Sequence, residues 1–244
     1  MMNYTLEVIA FSIESCVLAQ TAGAHRIELC DNPGDGGTTP SYGFIQTARK
    51  KTTLELFPII RPRGGDFLYS DDEFEIMKQD IIVCRQSGCD GIVTGLLHAD
   101  GTVDKLRTAQ LVSLAYPMSV TFHRAFDRTQ NAFEAMEDII ETGCERILTS
   151  GQKPAATDAL DFIAELIRRA EERIIIMPGS GIRSENIQAV AQQTGAREFH
   201  SSARRSQQSN MRFTQASMNE QLKSTILDED EVKNMIAQLS TVHP

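Results

Sequence analysis

A four-fold internal repeat constrains this chain more than any other feature. A helix-ending glycine followed by a short strand occurs at 23–29, 88–94, 143–149 and 195–201, starting at Gly23, Gly88, Gly143 and Gly195, which lie 52 to 65 residues apart. Each interval holds two strand-plus-helix units, and a second set of strands is predicted at 4–10, 54–61, 118–123 and 173–177. The intervening segments have helical period and helix-start residues: Ser12 before 13–22, Ser70-Asp71-Asp72-Glu73 before 74–86, and Ser184 before 185–193. Eight β-then-α units in 244 residues predict an α/β fold, a single-domain (β/α)8 TIM barrel. An open doubly wound sheet gives no reason for a four-fold repeat that ends on an eighth strand. Pro58 interrupts the third strand, where it removes a ladder donor, and a bulge is expected there. The barrel body is assigned to 1–205. A polar arm and a last helix at 228–239 fall in 206–244, where they either complete the barrel or form an oligomer contact.

The alternation of strand side chains orients the repeat. Four residues after each glycine stand Ile27, Ile92, Ile147 and Phe199, suited to packing under the helices; the next residues, Glu28, Val93, Leu148 and His200, then point into the barrel. Chemistry in such barrels sits at the carboxyl ends of the strands. The ionisable candidates there are Glu7 on the first strand, Glu28 and Cys30 on the second, Arg61 with Arg63 on the third, His123 with Arg124 and Asp127 on the fifth, and His200 on the eighth. Charges inside a barrel cost stability unless they pair or bind something. Pairing, for example of Glu28 with Arg61, explains any one of them about as well as function does, but a structural barrel would fill its layers with branched apolar residues.

Two segments suggest an anion site. Pro178-Gly179-Ser180-Gly181-Ile182-Arg183 follows the seventh strand and opens a helix, and His200-Ser201-Ser202-Ala203-Arg204 follows the eighth; many barrels bind phosphate at these two loops. An ordinary tight turn is the plainer reading of Gly-Ser-Gly. Arg61-Pro62-Arg63-Gly64-Gly65 sets two guanidinium forks before a flexible pair of glycines, as a carboxylate-binding loop would. His123 ends its strand with Asp127 near enough in sequence to orient it as acid, base or ligand.

Acidic residues outnumber basic ones 33 to 24, a net charge of −9, which argues against nucleic acid or anionic lipid as a partner. No apolar run approaches the roughly 18 to 20 residues of a membrane span, and 1–12 has no basic leader, so a cytoplasmic protein is expected. The five cysteines, Cys16, Cys30, Cys84, Cys89 and Cys144, form no CxxC pair and read as free thiols. Only Cys30 stands at the functional end. A soft Cu(I) ion would find one thiolate there, whereas Glu7, Glu28, His123 and His200 offer donors for a harder divalent ion.

The runs Arg26-Ile27-Glu28-Leu29-Cys30, Arg61-Pro62-Arg63-Gly64-Gly65-Asp66-Phe67, Phe122-His123-Arg124-Ala125-Phe126-Asp127 and His200-Ser201-Ser202 lie in order within a stretch from residue 6 to about 205 that resembles the CutC family of copper-homeostasis proteins. The resemblance implies a TIM-barrel-like fold, a cytoplasmic location, homo-oligomerisation and copper binding, with Cys30 as the metal ligand and Cu(I) as the ion. It implies no known reaction. The chain departs from the pattern at Ile9-Ala10, after the first-strand Glu7, which weakens the copper assignment.

Three readings follow. The first is a Cu(I)-binding homeostasis protein. The second is an enzyme acting on a small carboxylate or phosphate: Arg61, Arg63 and the turn Gly179-Ser180-Gly181, with His200 and Ser201, bind the anion; Glu28 or His123 takes a proton; Arg124 or His200 stabilises negative charge; Glu7 and Asp127 complete the catalytic group. The third is a scaffold whose arm at 201–225 makes a homodimer contact.

Overall fold

The computed structural model describes residues 4–242. Eight parallel strands, β1 (Thr5–Ala10), β2 (Arg26–Leu29), β3 (Glu55–Pro58), β4 (Gly91–Thr94), β5 (Ser119–Phe122), β6 (Arg146–Thr149), β7 (Ile175–Pro178) and β8 (Glu198–Ser201), alternate with helices. The helices are α1 (Ile13–Ala22), α2 (Tyr42–Lys51), α3 (Asp71–Gln86), α4 (Lys105–Ala115), α5 (Ala132–Thr142), α6 (Leu160–Ala170), α7 (Ile187–Thr194) and α8 (Glu229–Ser240). The fold is a (β/α)8 barrel. None of the helices is long and apolar enough to cross a membrane.

Local chemistry accounts for the helix ends. Ser12 caps α1 and Gly23, at φ 86°, ends it in the left-handed conformation that glycine adopts without a steric penalty. Ser70 and Glu73 form a reciprocal capping box at α3, which starts three residues before the predicted 74. At α7 the expected cap fails for a visible reason. The backbone N–H and hydroxyl of Ser184 donate to Glu231 on α8, at 2.9 and 2.8 Å, so the helix begins only at Ile187. The acidic start of α8 is therefore a tie to the loop after β7 as well as a solvated helix end.

The ladder runs β3-β2-β1-β8 and β4-β5-β6-β7, leaving two seams. Each seam has a proline. Ile59 N–H donates to Leu29 on β2 and Ile60 N–H to Val93 on β4, so the nitrogen of Pro58 between them faces β4. Gly179 N–H donates to Thr149 on β6, which turns the nitrogen of Pro178 toward β8. A proline can stand where its missing donor would serve no continuous ladder. The expected distortion at Pro58 is thus a seam in the sheet and not a bulge.

Ile27, Ile92, Ile147 and Phe199 are fully buried in the core between strands and helices, as the repeat requires. A second, smaller apolar cluster of Ile9, Cys30, Phe57, Ile59 and Val93 lies inside the barrel. After β8 the chain forms an antiparallel hairpin, β9 (Arg204–Gln208) and β10 (Lys223–Leu227), before α8 packs against α1 and α7 and closes the helical ring.

Candidate active site

Charged side chains of alternating sign run along the barrel interior. Arg146 Nε donates to Glu198 Oε2 at 2.6 Å, and Arg26 Nη2 donates to the same oxygen at 2.6 Å. Arg26 Nε in turn donates to Glu7 Oε2 at 2.5 Å, and Glu7 Oε1 lies 2.7 Å from Nδ1 of His200. His200 Nε2 then faces Glu28 Oε2 at 3.7 Å, and Cys30 follows just after the end of β2. Arg26, Arg146 and Glu198 were missed in the sequence, although each stands two residues before an inward position already named, Glu28, Leu148 or His200. The period-two argument, carried one step further back, locates them.

This chain of charges sets the protonation of its members. Burial alone would raise the pKa of Glu7, but the Arg26 charge and the His200 hydrogen bond outweigh it and hold the carboxyl at about 2. Burial also dominates at Glu28, where the Glu7 charge adds to it against the opposing pull of His200, and the carboxyl is pushed up to about 7. His200 is held above its ordinary value despite burial, by the Glu7 hydrogen bond and the charges of Glu28 and Glu7.

Glu28 and His200 open on a cavity of 290 Å³ at the carboxyl ends of the strands, also lined by Arg61, Phe67, His123, Arg124, Ser180, Gly181, Ser202 and Arg204. A larger cavity, 520 Å³, lies at the opposite end beside Ile174, Ala196 and Glu198. The Glu198 carboxylate is already paired with two arginines, so the acid–base and anion-binding potential is at the mouth.

The candidates separate into three groups. Glu7, Glu28 and His200 form one cluster, and Arg61, His123 and Arg124 line the same cavity. The suggested Glu28–Arg61 pair does not form: the Arg61 guanidinium donates to the backbone carbonyls of Asp35, Gly37 and Gly65 at 2.7, 2.8 and 3.0 Å. Arg63 lies outside the cavity, paired with Glu73 and Asp66 and stacked on Tyr69, because the turn after Pro62 swings it onto the start of α3.

Asp127 does not orient His123. Its carboxylate accepts from Thr149, Ser150, Gln152 and Arg124 Nε, so it fixes Arg124 and the loop after β6 instead. His123 Nδ1 accepts the Ala125 N–H, which leaves the ring proton on Nε2. Burial and then the Arg61 charge lower its pKa to about 3, so the ring is a neutral donor with no free lone pair for a base.

Around the seventh and eighth strands, Gly179 is required for space. A Cβ there would stand 2.4 Å from Leu148 and 3.2 Å from His200. Ser180, at φ 75°, occupies a conformation rare outside glycine, and its hydroxyl donates to Pro154. The Ser201 hydroxyl donates to Ile182 and is structural, whereas Ser202 and Arg204 reach the cavity.

The donors do not fit a Cu(I) centre. Cys30 is fully buried, and burial followed by the Glu28 and Glu7 charges raises its thiol well above the usual range, opposing thiolate formation. Neither Cys30 nor any other sulfur among the described residues lines the cavity; Met177 accepts from Arg26 at 3.4 Å. Glu7, Glu28 and His200 place donor atoms within 4.8 Å of one another, a carboxylate and imidazole set suited to a harder ion, but both Glu7 oxygens are already engaged.

Comparison with known proteins gives a consistent result. The CutC family model matches residues 4–205. A CutC family protein of Chromobacterium violaceum is 52% identical over 212 residues, covering 87% of this chain and 86% of that one. The copper homeostasis protein cutC homolog of Mus musculus is 46% identical over 216 residues, covering 88% and 79%. A solved CutC structure from Streptococcus agalactiae superposes with a TM-score of 0.78 at 32% identity, covering 82% of this chain and 98% of that one.

Proposed function

The chain belongs to the CutC family, and from that premise we propose that it is an enzyme that moves a proton on a small anionic molecule at the mouth of its barrel. The observation that carries this reading is Glu28, a carboxyl in the cavity wall whose pKa is raised to about 7 beside an arginine-bearing rim. A group that titrates near the working pH both accepts and donates protons efficiently. In this reading Glu28 transfers the proton, and Glu7 with His200 positions it. Arg124, Arg204, Ser202 and the Ser180-Gly181 turn seat the anion, with Arg124 held in place by Asp127 and Ser150. The cavity, at the small end of the roughly 300–1,000 Å³ range of ligand pockets, favours a compact molecule.

Copper enters through the names of the relatives, and the donors around Cys30 do not support it as a resident Cu(I) ion. When Cu(I) is titrated under reducing conditions against a chromophoric chelator, wild type and Cys30→Ser are expected to retain equal copper; a loss confined to the variant would restore Cys30 as a ligand. The five buried free thiols suit a reducing, cytoplasmic compartment, and the hairpin after β8, with Met211, Phe213 and Met218 exposed, suits a homodimer contact.

Calorimetry with phosphate and with oxalate tests the anion seat. One of the two is expected to bind, and Arg124→Ala to weaken it about 10-fold or more, the scale of one charge-assisted hydrogen bond. The Arg124 side chain is 37% exposed and its partner Asp127, at 3%, keeps its hydrogen bonds from Thr149, Ser150 and Gln152, so this change should cost about 1–3 kcal/mol and leave the protein folded for the titration. Failure of both anions to bind wild-type protein would remove the proposal.

A further inference from the structure

Two buried N–H groups beside this cavity lack an acceptor. His123 and Arg61 are 4% and 5% exposed and both line the cavity; among the described residues His123 Nε2 has no hydrogen-bond partner, and Arg61 Nε makes no hydrogen bond of normal geometry, its guanidinium lying beside a Tyr69 hydroxyl that has no other partner. Buried donors are nearly always paired, and leaving one unpaired costs about 1–3 kcal/mol. The Phe67 ring lies against both, 4.8 Å from the His123 ring and 5.1 Å from the Arg61 guanidinium, but an aromatic face is only a weak acceptor. The packing is also specific: a Cβ at Gly95 would stand 2.5 Å from His123 Nδ1, so a glycine is what allows the ring its place.

Resting on the proton-transfer reading above, we infer that the reacting group of the substrate is a carbonyl, whose oxygen is the acceptor that His123 Nε2–H and Arg61 Nε–H lack, with Glu28 abstracting a proton from the adjacent carbon. The C–H bond breaks and its proton passes to the Glu28 carboxylate. The C–H electron pair forms the carbon–carbon double bond, and the carbonyl π pair moves to oxygen, where the two N–H groups hold the oxyanion. Return of the proton from Glu28 to the carbon it left completes an exchange with solvent; where that carbon also bears a hydroxyl, passage of the hydroxyl proton to the carbonyl oxygen and return of the Glu28 proton to the former carbonyl carbon complete an isomerisation, and no oxidant or reductant is needed. The substrate class is thus a small aldehyde, ketone or keto acid with an anionic group for the arginine rim. A neutral imidazole suits this role, because it donates to a developing enolate without protonating it outright.

The test compares enolate mimics with plain anions of the same charge type: oxalate against malonate, and phosphoglycolohydroxamate against ethyl phosphate. In at least one pair the mimic should bind wild type 10-fold or more tightly than its plain anion, and His123→Phe should abolish that ratio while the plain anion binds as before. In wild-type protein with ¹⁵N-labelled histidine, which has five histidines to resolve, the same mimic should shift the His123 Nε2–H resonance downfield; this readout does not depend on the variant folding. Equal binding within both pairs, or a ratio that survives His123→Phe, would overturn the carbonyl assignment and leave the anion seat standing. Failure of every probe to bind would overturn both.

Discussion

Glu28→Gln should abolish proton transfer while making the protein more stable at alkaline pH. Glu28 is 4% exposed, and its pKa stands at about 7 against an ordinary 4.5, so the folded state holds this proton longer than the unfolded chain does. The contribution of the group to stability is therefore complete below about 4.5 and is lost as pH rises from about 4.5 to about 7. A shift of this size corresponds to about 3 kcal/mol, an upper figure for the penalty the wild type carries at pH 8. Glutamine keeps the shape and removes the charge. Urea unfolding at pH 5 and pH 8 should show the variant gaining on the wild type only at the higher pH. Equal differences at both values would mean that Glu28 is a carboxylate throughout, stabilised by His200. The groups that face Glu28 act in both directions: His200 from β8, the Cys30 thiol just after β2 and Arg26 on β2 favour the carboxylate, whereas Glu7 from β1 opposes it.

Arg26→Met should cause the largest loss of stability of any single change in the barrel interior. Arg26 is 2% exposed and holds Glu7 on one side and Glu198 on the other, so its removal deprives two carboxylates of a cation, leaving Glu7 with His200 alone and Glu198 with Arg146 alone. Breaking a buried pair in this way typically costs about 3–5 kcal/mol, which for a domain of this size lowers the melting temperature by roughly 6–20 °C. Pairing Arg26→Met with Glu7→Gln should recover part of the loss, since one of the stranded charges is gone. Glu7 also has the opposite pH signature from Glu28. Its folded pKa is about 2, so its contribution is present above 4.5 and fades as pH falls from there toward 2. A melting-temperature change under 2 °C in Arg26→Met would show that the interior charges are solvated and contribute little.

The fold was legible because the repeat combines two periodicities that only alternating strands and helices satisfy. The inward residues were legible for the same reason: counting alone places Glu28 and His200 on the inward face of the two strands that flank β1. What the sequence could not supply was the destination of long side chains. Arg61 and Arg63 are two residues apart on one loop, yet one is clamped by three backbone carbonyls and the other leaves for Glu73. Asp127 is close to His123 in sequence but is taken by the loop after β6, whose hydroxyls and N–H groups satisfy it completely. The late start of α7 depends on Glu231, 47 residues away, and no local signal contains it.

The central claim, that Glu28 is the proton-transfer group, is tested most directly by titrating the side-chain carboxyls of protein labelled with ¹³C at glutamate Cδ. One glutamate should titrate near pH 7 and vanish from the spectrum of Glu28→Gln. If every glutamate titrates below about 5.5, Glu28 is an ordinary ion-paired carboxylate and the site is a structural charge network.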